Sequence, residues 1–205
     1  MPTSVPIAPG AIHHPGYLDR EAQEALIEDL REALTRAPLF TPRMPRTGKA
    51  FSVRMTNLGP LGWVSDADGY RYQPHHPDTR APWPTIPGRL LDAWRELAPG
   101  SPAPEACLVN FYDDAARMGL HQDRDEQALN APVVSISLGD TALFRIGNES
   151  RNGPTRSFRL QSGDAFVFGG PARLAFHGVD RIYPATSTLL PNGGRINLTL
   201  RRVSP

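Results

Sequence analysis

From about residue 106 to residue 203 the chain reads as short runs of alternating or apolar residues broken by turn formers, and this texture limits the fold more than any other feature. The runs fall at 106–112, 117–123, 132–138, 141–147, 157–161, 164–168, 173–177, 179–183 and 194–203. Short strands at this spacing point to an antiparallel sandwich or jelly roll. The last run keeps period two throughout: Arg195, Asn197, Thr199 and Arg201 share one face, and Ile196, Leu198 and Leu200 share the other. On a solvated face the two arginines would carry no message. Lining a cavity, two guanidiniums facing one way would suit a small dicarboxylate, because each pairs bidentately with a carboxylate and keeps its charge when buried.

A second pattern gives that cavity a possible purpose. In Leu120-His121-Gln122-Asp123-Arg124-Asp125-Glu126 one residue separates His121 from Asp123, so on an extended segment both side chains point the same way. His-X-Asp also occurs in solvated loops. With one more imidazole, available at His177 on another predicted strand, it becomes the two-histidine, one-carboxylate set that leaves one face of a non-haem Fe(II) open. A jelly roll suits these residues, because it can bring His121, Asp123, His177 and the Arg195 strand into one cleft.

The chain of 205 residues is long enough for one well-buried domain, and nothing in it demands two. A net charge of +1 excludes a strongly basic body, so contact with nucleic acid would rest on a local patch. Of the 22 basic residues only Lys49 is lysine, a bias that a GC-rich genome also produces. The single cysteine, Cys107, rules out an internal disulfide and sits in an apolar run, as a buried small side chain does. No stretch reaches membrane-spanning length and no basic-then-apolar leader begins the chain, so a cytoplasmic protein without membrane contact is expected. The 22 prolines, about twice the usual share, predict many irregular connections.

Before the strands, residues 1–17 are Pro- and Gly-rich, with a possible short strand at Ala11-Ile12-His13-His14. Asp19 can cap a helix whose stripe is Ala22, Leu26, Leu30, Ala33 and Leu34. A second helix is predicted over about 87–98, with Leu90, Leu91, Trp94, Leu97 and Ala98 on its apolar side. Between them, 50–56 alternates like a strand and 57–86 reads as a long irregular loop carrying Trp63, Tyr70, Tyr72 and Trp83. Loops of that length are usually functional or disordered, and the aromatics argue against disorder. They could be packing anchors or a platform for a nucleobase. His75 and His76, lying between prolines without a further ligand at metal spacing, are expected at the surface.

From Phe51 to Arg201 the motifs, in order, resemble the AlkB family of 2-oxoglutarate- and iron-dependent dioxygenases, its bacterial members above all. They are Met55-Thr56-Asn57 with Leu61-Gly62-Trp63, Asn110-Phe111-Tyr112, His121 through Glu126, Ala131-Pro132-Val133-Val134-Ser135, Phe176-His177-Gly178 and Arg195 through Arg201. The first fifty residues match poorly. The resemblance implies an α+β, mainly β fold: a double-stranded β-helix (jelly-roll) core over 105–203, preceded over 1–104 by helices that buttress the sheet and a nucleotide-recognition lid. It implies that His121, Asp123 and His177 bind Fe(II), with 2-oxoglutarate and O2 as co-substrates. Arg195 would pair with the distal carboxylate of 2-oxoglutarate, Arg201 would support the carboxylate near the metal, and Asn110, Tyr112 and Asn197 would complete that pocket. Trp63 and the His121 ring would sandwich the damaged base, with Asp125 at its polar edge and Glu126 supporting the site. Tyr70, Tyr72 and Arg151 match positions around the nucleotide channel.

The implied reaction is oxidative demethylation of 1-methyladenine- or 3-methylcytosine-type bases, releasing formaldehyde and succinate. The expected substrate is single-stranded DNA, with double-stranded DNA or RNA as alternatives, and the expected actor is a monomer. Arg117, Phe168 and Ile196 depart from a bacterial relative that carries Lys, Trp and Tyr there, and none of the three is in the iron triad. A metal-free jelly-roll binding module is the rival of another class, which the intact triad and both arginines oppose. A serine hydrolase lacks its Gly-X-Ser-X-Gly turn here, and phosphate-cradling Gly-rich loops are absent as well.

Overall fold

The computed structural model describes residues 4–205. The elements, in chain order, are β1 (Val5–Ala8), β2 (Ala11–His14), α1 (Arg20–Arg36), β3 (Arg54–Leu58), β4 (Gly62–Asp66), β5 (Gly69–Gln73), α2 (Gly88–Leu97), β6 (Ala106–Tyr112), β7 (Met118–His121), β8 (Val133–Gly139), β9 (Thr141–Ile146), β10 (Arg156–Leu160), β11 (Ala165–Phe168), β12 (His177–Tyr183) and β13 (Arg195–Arg201). Two antiparallel sheets make the body of the jelly roll. The larger has seven strands in the order β1-β2-β11-β8-β13-β6-β3, the smaller four in the order β10-β9-β12-β7, and β4 with β5 forms a separate hairpin.

The period-two pattern of β13 decides which way this architecture faces. Ile196, Leu198 and Leu200 pack with Leu26, Leu30, Leu90 and Trp94, so the apolar face of β13 lies beneath both helices. The opposite face, with Arg195, Asn197, Thr199 and Arg201, turns inward and lines a cavity between the sheets. The second core, built around Phe144, Phe166 and Phe168, fills the rest of the space between the sheets. As predicted, Asp19 caps α1 by accepting from the Ala22 amide at 2.9 Å. The buried stripe of α1 is Gln23, Leu26, Ile27, Leu30 and Ala33, so Ile27 and Gln23 take the places expected for Leu34 and Ala22. Gln23 can be buried because its amide donates to Leu18 O and its oxygen accepts from Ser162, at 2.9 and 2.6 Å.

Four expectations need correction. The strand anticipated at 50–56 begins later, at Arg54, because residues 40–51 and Met55 are tied into a short ladder of bridges and amide bonds instead. The supposed loop 57–86 contains the hairpin β4–β5, whose two turn residues are Ala67 and Asp68; Gly69, paired with Asp66, sits at φ +110, and Asp66 accepts from the Asp68 amide. The strands anticipated at 173–177 and 179–183 are a 3-10 turn at Gly170–Ala172 followed by the single bulged strand β12. His76 is buried, not at the surface. Its Nδ1 accepts from the amides of Asp78 and Thr79, leaving Nε2 to donate to Pro38 O at 2.8 Å, while its ring meets Phe40 and Trp83. Among the described residues no helix is long and apolar enough to cross a membrane.

Leu30 joins α1 to the sheet and is 2% exposed. Leu30→Ala is expected to lower the unfolding free energy by about 2–5 kcal/mol, measured by urea titration. A change below about 0.5 kcal/mol would mean that α1 does not hold the outer face of the sheet.

Candidate active site

Strand pairing brings the two histidines together. In the β12–β7 register His177 lies opposite His121, with ring centroids 4.4 Å apart. Asp123, two residues past His121, returns to the same side. One ligand atom from each residue lies within 4.8 Å of the others, and Asp123 Oδ1 is 3.7 Å from His121 Nε2 and 3.8 Å from His177 Nε2. Each Nδ1 lies 2.9 Å from a backbone carbonyl two residues back, Gly119 O for His121 and Ala175 O for His177. Donation to those carbonyls leaves both Nε2 lone pairs aimed at Asp123, the arrangement by which a protein orients metal-binding imidazoles.

The carboxylate is prepared in the same way. Arg201 donates to Asp123 Oδ2 from Nε at 3.0 Å and Nη2 at 2.7 Å, which leaves Oδ1 between the imidazoles. Burial opposes the charge on Asp123, but Arg201, with His177 and His121, outweighs it and holds the carboxyl well below its usual range. Burial, then the neighbouring His121, pushes His177 down to about 4, so its ring is neutral. Two imidazole nitrogens and one carboxylate oxygen, converging and otherwise unengaged, fit Fe(II).

Two cross-strand pairs form the floor of a cavity of about 420 Å³. Arg195 lies opposite Tyr112 and Asn197 opposite Asn110 in the β13–β6 register. Arg195 is 1% exposed, and its bonds go to neutral groups: Ser137 Oγ at 2.7 Å, and the carbonyls of Asp140 and Leu160 at 3.2 Å. Its Nε and the nearby Asn110 Oδ1 have no partner. Burial pushes the guanidinium down to about 10, which still leaves it charged at neutral pH. A buried cation without a counter-ion is costly, so this end of the cavity is built for an anion. Burial also pushes the Tyr112 phenol up to about 12, keeping it a neutral hydroxyl. Asn197 is held by Ser135 Oγ, to which it donates at 2.7 Å, and by Thr199, from which it accepts.

The cavity mouth is formed by the hairpin. Trp63 on β4 lies opposite Tyr72 on β5, and the side chain of Asn57 clamps Trp63 through both backbone groups at 3.0 Å. Trp63 Nε1 donates to Asp125 at 2.8 Å, and the exposed ring of Tyr70 stacks on Trp63 with centroids 5.6 Å apart and 16° between planes. Trp63 and His121 both line the cavity, with Arg151, whose guanidinium stands over Phe176. Tyr72 donates to Glu126, which also meets Arg173 at 3.1 Å and Arg201 at 3.4 Å. An unbroken buried chain therefore runs from the hairpin through Glu126 and Arg201 to Asp123.

All the residues given a role at the metal, the co-substrate or the base in the sequence analysis line this one cavity. Arg173 was missed. It is buried and donates to the carbonyls of Asp123 and Ala131 as well as to Glu126, but in Gly170-Pro171-Ala172-Arg173 no periodicity or ligand spacing marks it. Of the departures from bacterial relatives, Phe168 touches the His177 ring at 4.8 Å, while Ile196 faces the helices and away from the cavity.

Residues 10–201 match the model of the 2OG-Fe(II) oxygenase superfamily. The chain is 58% identical over 196 residues to an alpha-ketoglutarate-dependent dioxygenase AlkB homolog of Caulobacter vibrioides, covering 96% of this chain and 89% of that one. The chain belongs to the AlkB family. It is an Fe(II)- and 2-oxoglutarate-dependent dioxygenase with a converging His121-Asp123-His177 set. The solved structure of OsALKBH1 superposes with a TM-score of 0.81 at 32% identity, over 98% of this chain and all of that one. A partial AlkB-family match is the DNA N(6)-methyladenine demethylase ALKBH1D of Arabidopsis thaliana, 44% identical over 109 residues, covering 48% of this chain and 25% of that one.

Arg173→Met leaves Glu126 buried with one cation fewer. It is expected to lower the unfolding free energy by about 3–5 kcal/mol at neutral pH. Urea titration checks this, and a loss under about 1 kcal/mol would show that Arg201 and Tyr72 suffice to neutralise Glu126.

Proposed function

We propose that this AlkB-family enzyme removes methyl groups from the pairing edge of bases such as 1-methyladenine and 3-methylcytosine in single-stranded DNA. The observation that carries this reading is the placement of Trp63 and Asp125, joined by a hydrogen bond, at the mouth of the cavity that holds the His121-Asp123-His177 set. Methylation at these ring nitrogens makes the base cationic. An aromatic face edged by a carboxylate favours a cation over the neutral, undamaged base. Alkylation also weakens pairing, so the damaged base leaves a stack at lower cost than a sound one. The Arabidopsis relative, whose name describes a DNA demethylase, supports the choice of substrate class.

In this reading His121, Asp123 and His177 hold the metal. Arg195, with Tyr112, Asn110 and Asn197, binds the far carboxylate of 2-oxoglutarate, and Arg201 supports the end near the metal while it fixes Asp123. The base lies between Trp63 and the His121 ring, with Asp125 against its polar edge and Tyr70, Tyr72, Glu126 and Arg151 shaping the approach. The methyl hydrogens are not acidic, so no general base in the cavity could remove the group. Bound Fe(II), with O2 and 2-oxoglutarate, supplies the oxidation that converts N-methyl to N-hydroxymethyl, lost as formaldehyde, while the co-substrate becomes succinate and CO2. The residues position the reactants, balance charge and keep out water.

The test is mass spectrometry of a single-stranded oligonucleotide carrying one 3-methylcytosine, incubated aerobically with enzyme, Fe(II), 2-oxoglutarate and ascorbate, beside a matched RNA. Loss of a methylene mass from the DNA, only when 2-oxoglutarate is present, is the expected result. Succinate release without that loss would overturn the substrate, and faster loss from the RNA would overturn the choice of DNA. His121→Ala is expected to abolish turnover with the fold intact by circular dichroism; full activity in that variant would remove His121 from the metal. Arg195→Ala is expected to raise the half-saturating 2-oxoglutarate concentration by at least about 30-fold, or about 2 kcal/mol. An unchanged requirement would take Arg195 out of the co-substrate pocket.

A further inference from the structure

The two sheets differ in what covers them. α1 and α2 cover the outer face of the seven-stranded sheet, whereas the outward positions of the four-stranded sheet are held by partly or fully exposed side chains, many of them arginine. Register fixes which residues these are. Phe144 and Val179 pair inward, so Arg145 points outward on one row, and on the next Arg159, Leu143 and Arg181 stand side by side across β10, β9 and β12. Arg145 is paired with Asp180 at 2.8 Å. Arg159 and Arg181 have no carboxylate in salt-bridge range among the described residues, and both lean over one ring, Tyr183, at 4.8 and 5.9 Å from its centroid.

Like charges drawn to one aromatic ring repel each other, and only an anion between them turns that repulsion into attraction. Neither guanidinium has a carboxylate partner, so its N–H donors are available for the bidentate geometry that recognises phosphate. One strand carries both features: β12 begins at His177, which lines the cavity, and past its bulge it carries Arg181 on the outer face. At the cavity mouth Arg151 is exposed too, so exposed guanidiniums stand both at the mouth and along this face.

We propose that this outer face, with Arg159 and Arg181 over Tyr183, binds the phosphate backbone of the nucleic acid flanking the base held in the cavity. The proposal rests on the reading above for what occupies the cavity. It predicts contacts that grow with strand length and are blind to the base.

The test is binding of a labelled, unmethylated single strand of about 20 nucleotides, followed by fluorescence anisotropy over a range of NaCl concentrations, by the wild type and by the variant carrying Arg159→Gln and Arg181→Gln. Each phosphate contact on a single strand contributes about 0.7 to the slope of log K against log salt, so the double variant should lose about 1.4 from it. The variant carrying Arg159→Lys and Arg181→Lys should keep most of the slope. A methylated trinucleotide, too short to reach the face, should be demethylated by the Gln variant at the wild-type kcat/KM. An unchanged slope would overturn the proposal, and so would an equal loss on the trinucleotide, which would place the effect in the cavity. The binding arm uses neither iron nor turnover, so failure to demethylate any oligonucleotide would count against the proposed substrate and leave this surface to be judged by its slope.

Discussion

The ion pair between Arg201 and Asp123 is the contact on which the rest of the site depends. Asp123 is buried between two imidazoles, where desolvation alone would drive it to protonate and lose its value as a ligand. Arg201 reverses that and consumes one of its two oxygens, so the other points where the histidines point. Arg201 can do this only because β13 turns its polar face inward. That is possible only because its other face is capped by α1 and α2. The helices, which touch nothing reactive, are thus a condition for a charged strand at the centre of a jelly roll.

Charge balance extends the same logic. Asp123 and Glu126 are two buried carboxylates, and Arg201 and Arg173 are two buried guanidiniums that face them, so this group is neutral before anything binds. Arg195 stands outside the balance, with only neutral partners. The protein leaves uncompensated the one charge that a dicarboxylate would answer, a form of pre-organisation in which the ligand supplies what the fold withholds. The neutral quartet also reaches the hairpin, because Tyr72 bonds to Glu126 and lies directly across from Trp63. The aromatic platform is in this way fixed to the same carboxylate cluster as the metal ligand, and a shift at one end is felt at the other.

Much of this could be read from the chain. The inward face of β13, the His121–Asp123 pair and the partner imidazole at His177 were legible because period two maps directly onto one side of a strand. Most strand positions from 106 onward were legible for the same reason, although 173–176 proved not to be a strand. What stayed hidden depends on contacts distant in sequence. Arg173 follows a turn that carries no period, and its role exists only because Glu126 and the Asp123 carbonyl meet it there. His76 looks like a surface residue between prolines until Pro38, Phe40 and Trp83 fold over it. The hairpin β4–β5 was obscured because its strands are short, and its Ala67-Asp68 turn with the following Gly69 was lost among other turn formers. The family resemblance implied roles for Trp63 and Asp125, but not the hydrogen bond between them at the cavity edge.

The division of labour between the two sheets has a further consequence. The Arg195 end of the cavity, formed by β13, β6 and β8, is clamped under two helices, and Arg195 and Asn197 are held there by hydrogen bonds to Ser137 and Ser135. The opposite side, formed by the four-stranded sheet and the hairpin, faces solvent and carries Tyr70, Arg151, Arg159 and Arg181 as exposed groups. Substitution there costs little stability, because exposed side chains away from caps and cores rarely cost more than about 0.5 kcal/mol. The His121-Asp123-His177 set and the exposed face therefore lie on surfaces with different tolerance for change. Substitution can alter the charge of the exposed face without disturbing the carboxylate and imidazoles of the buried set.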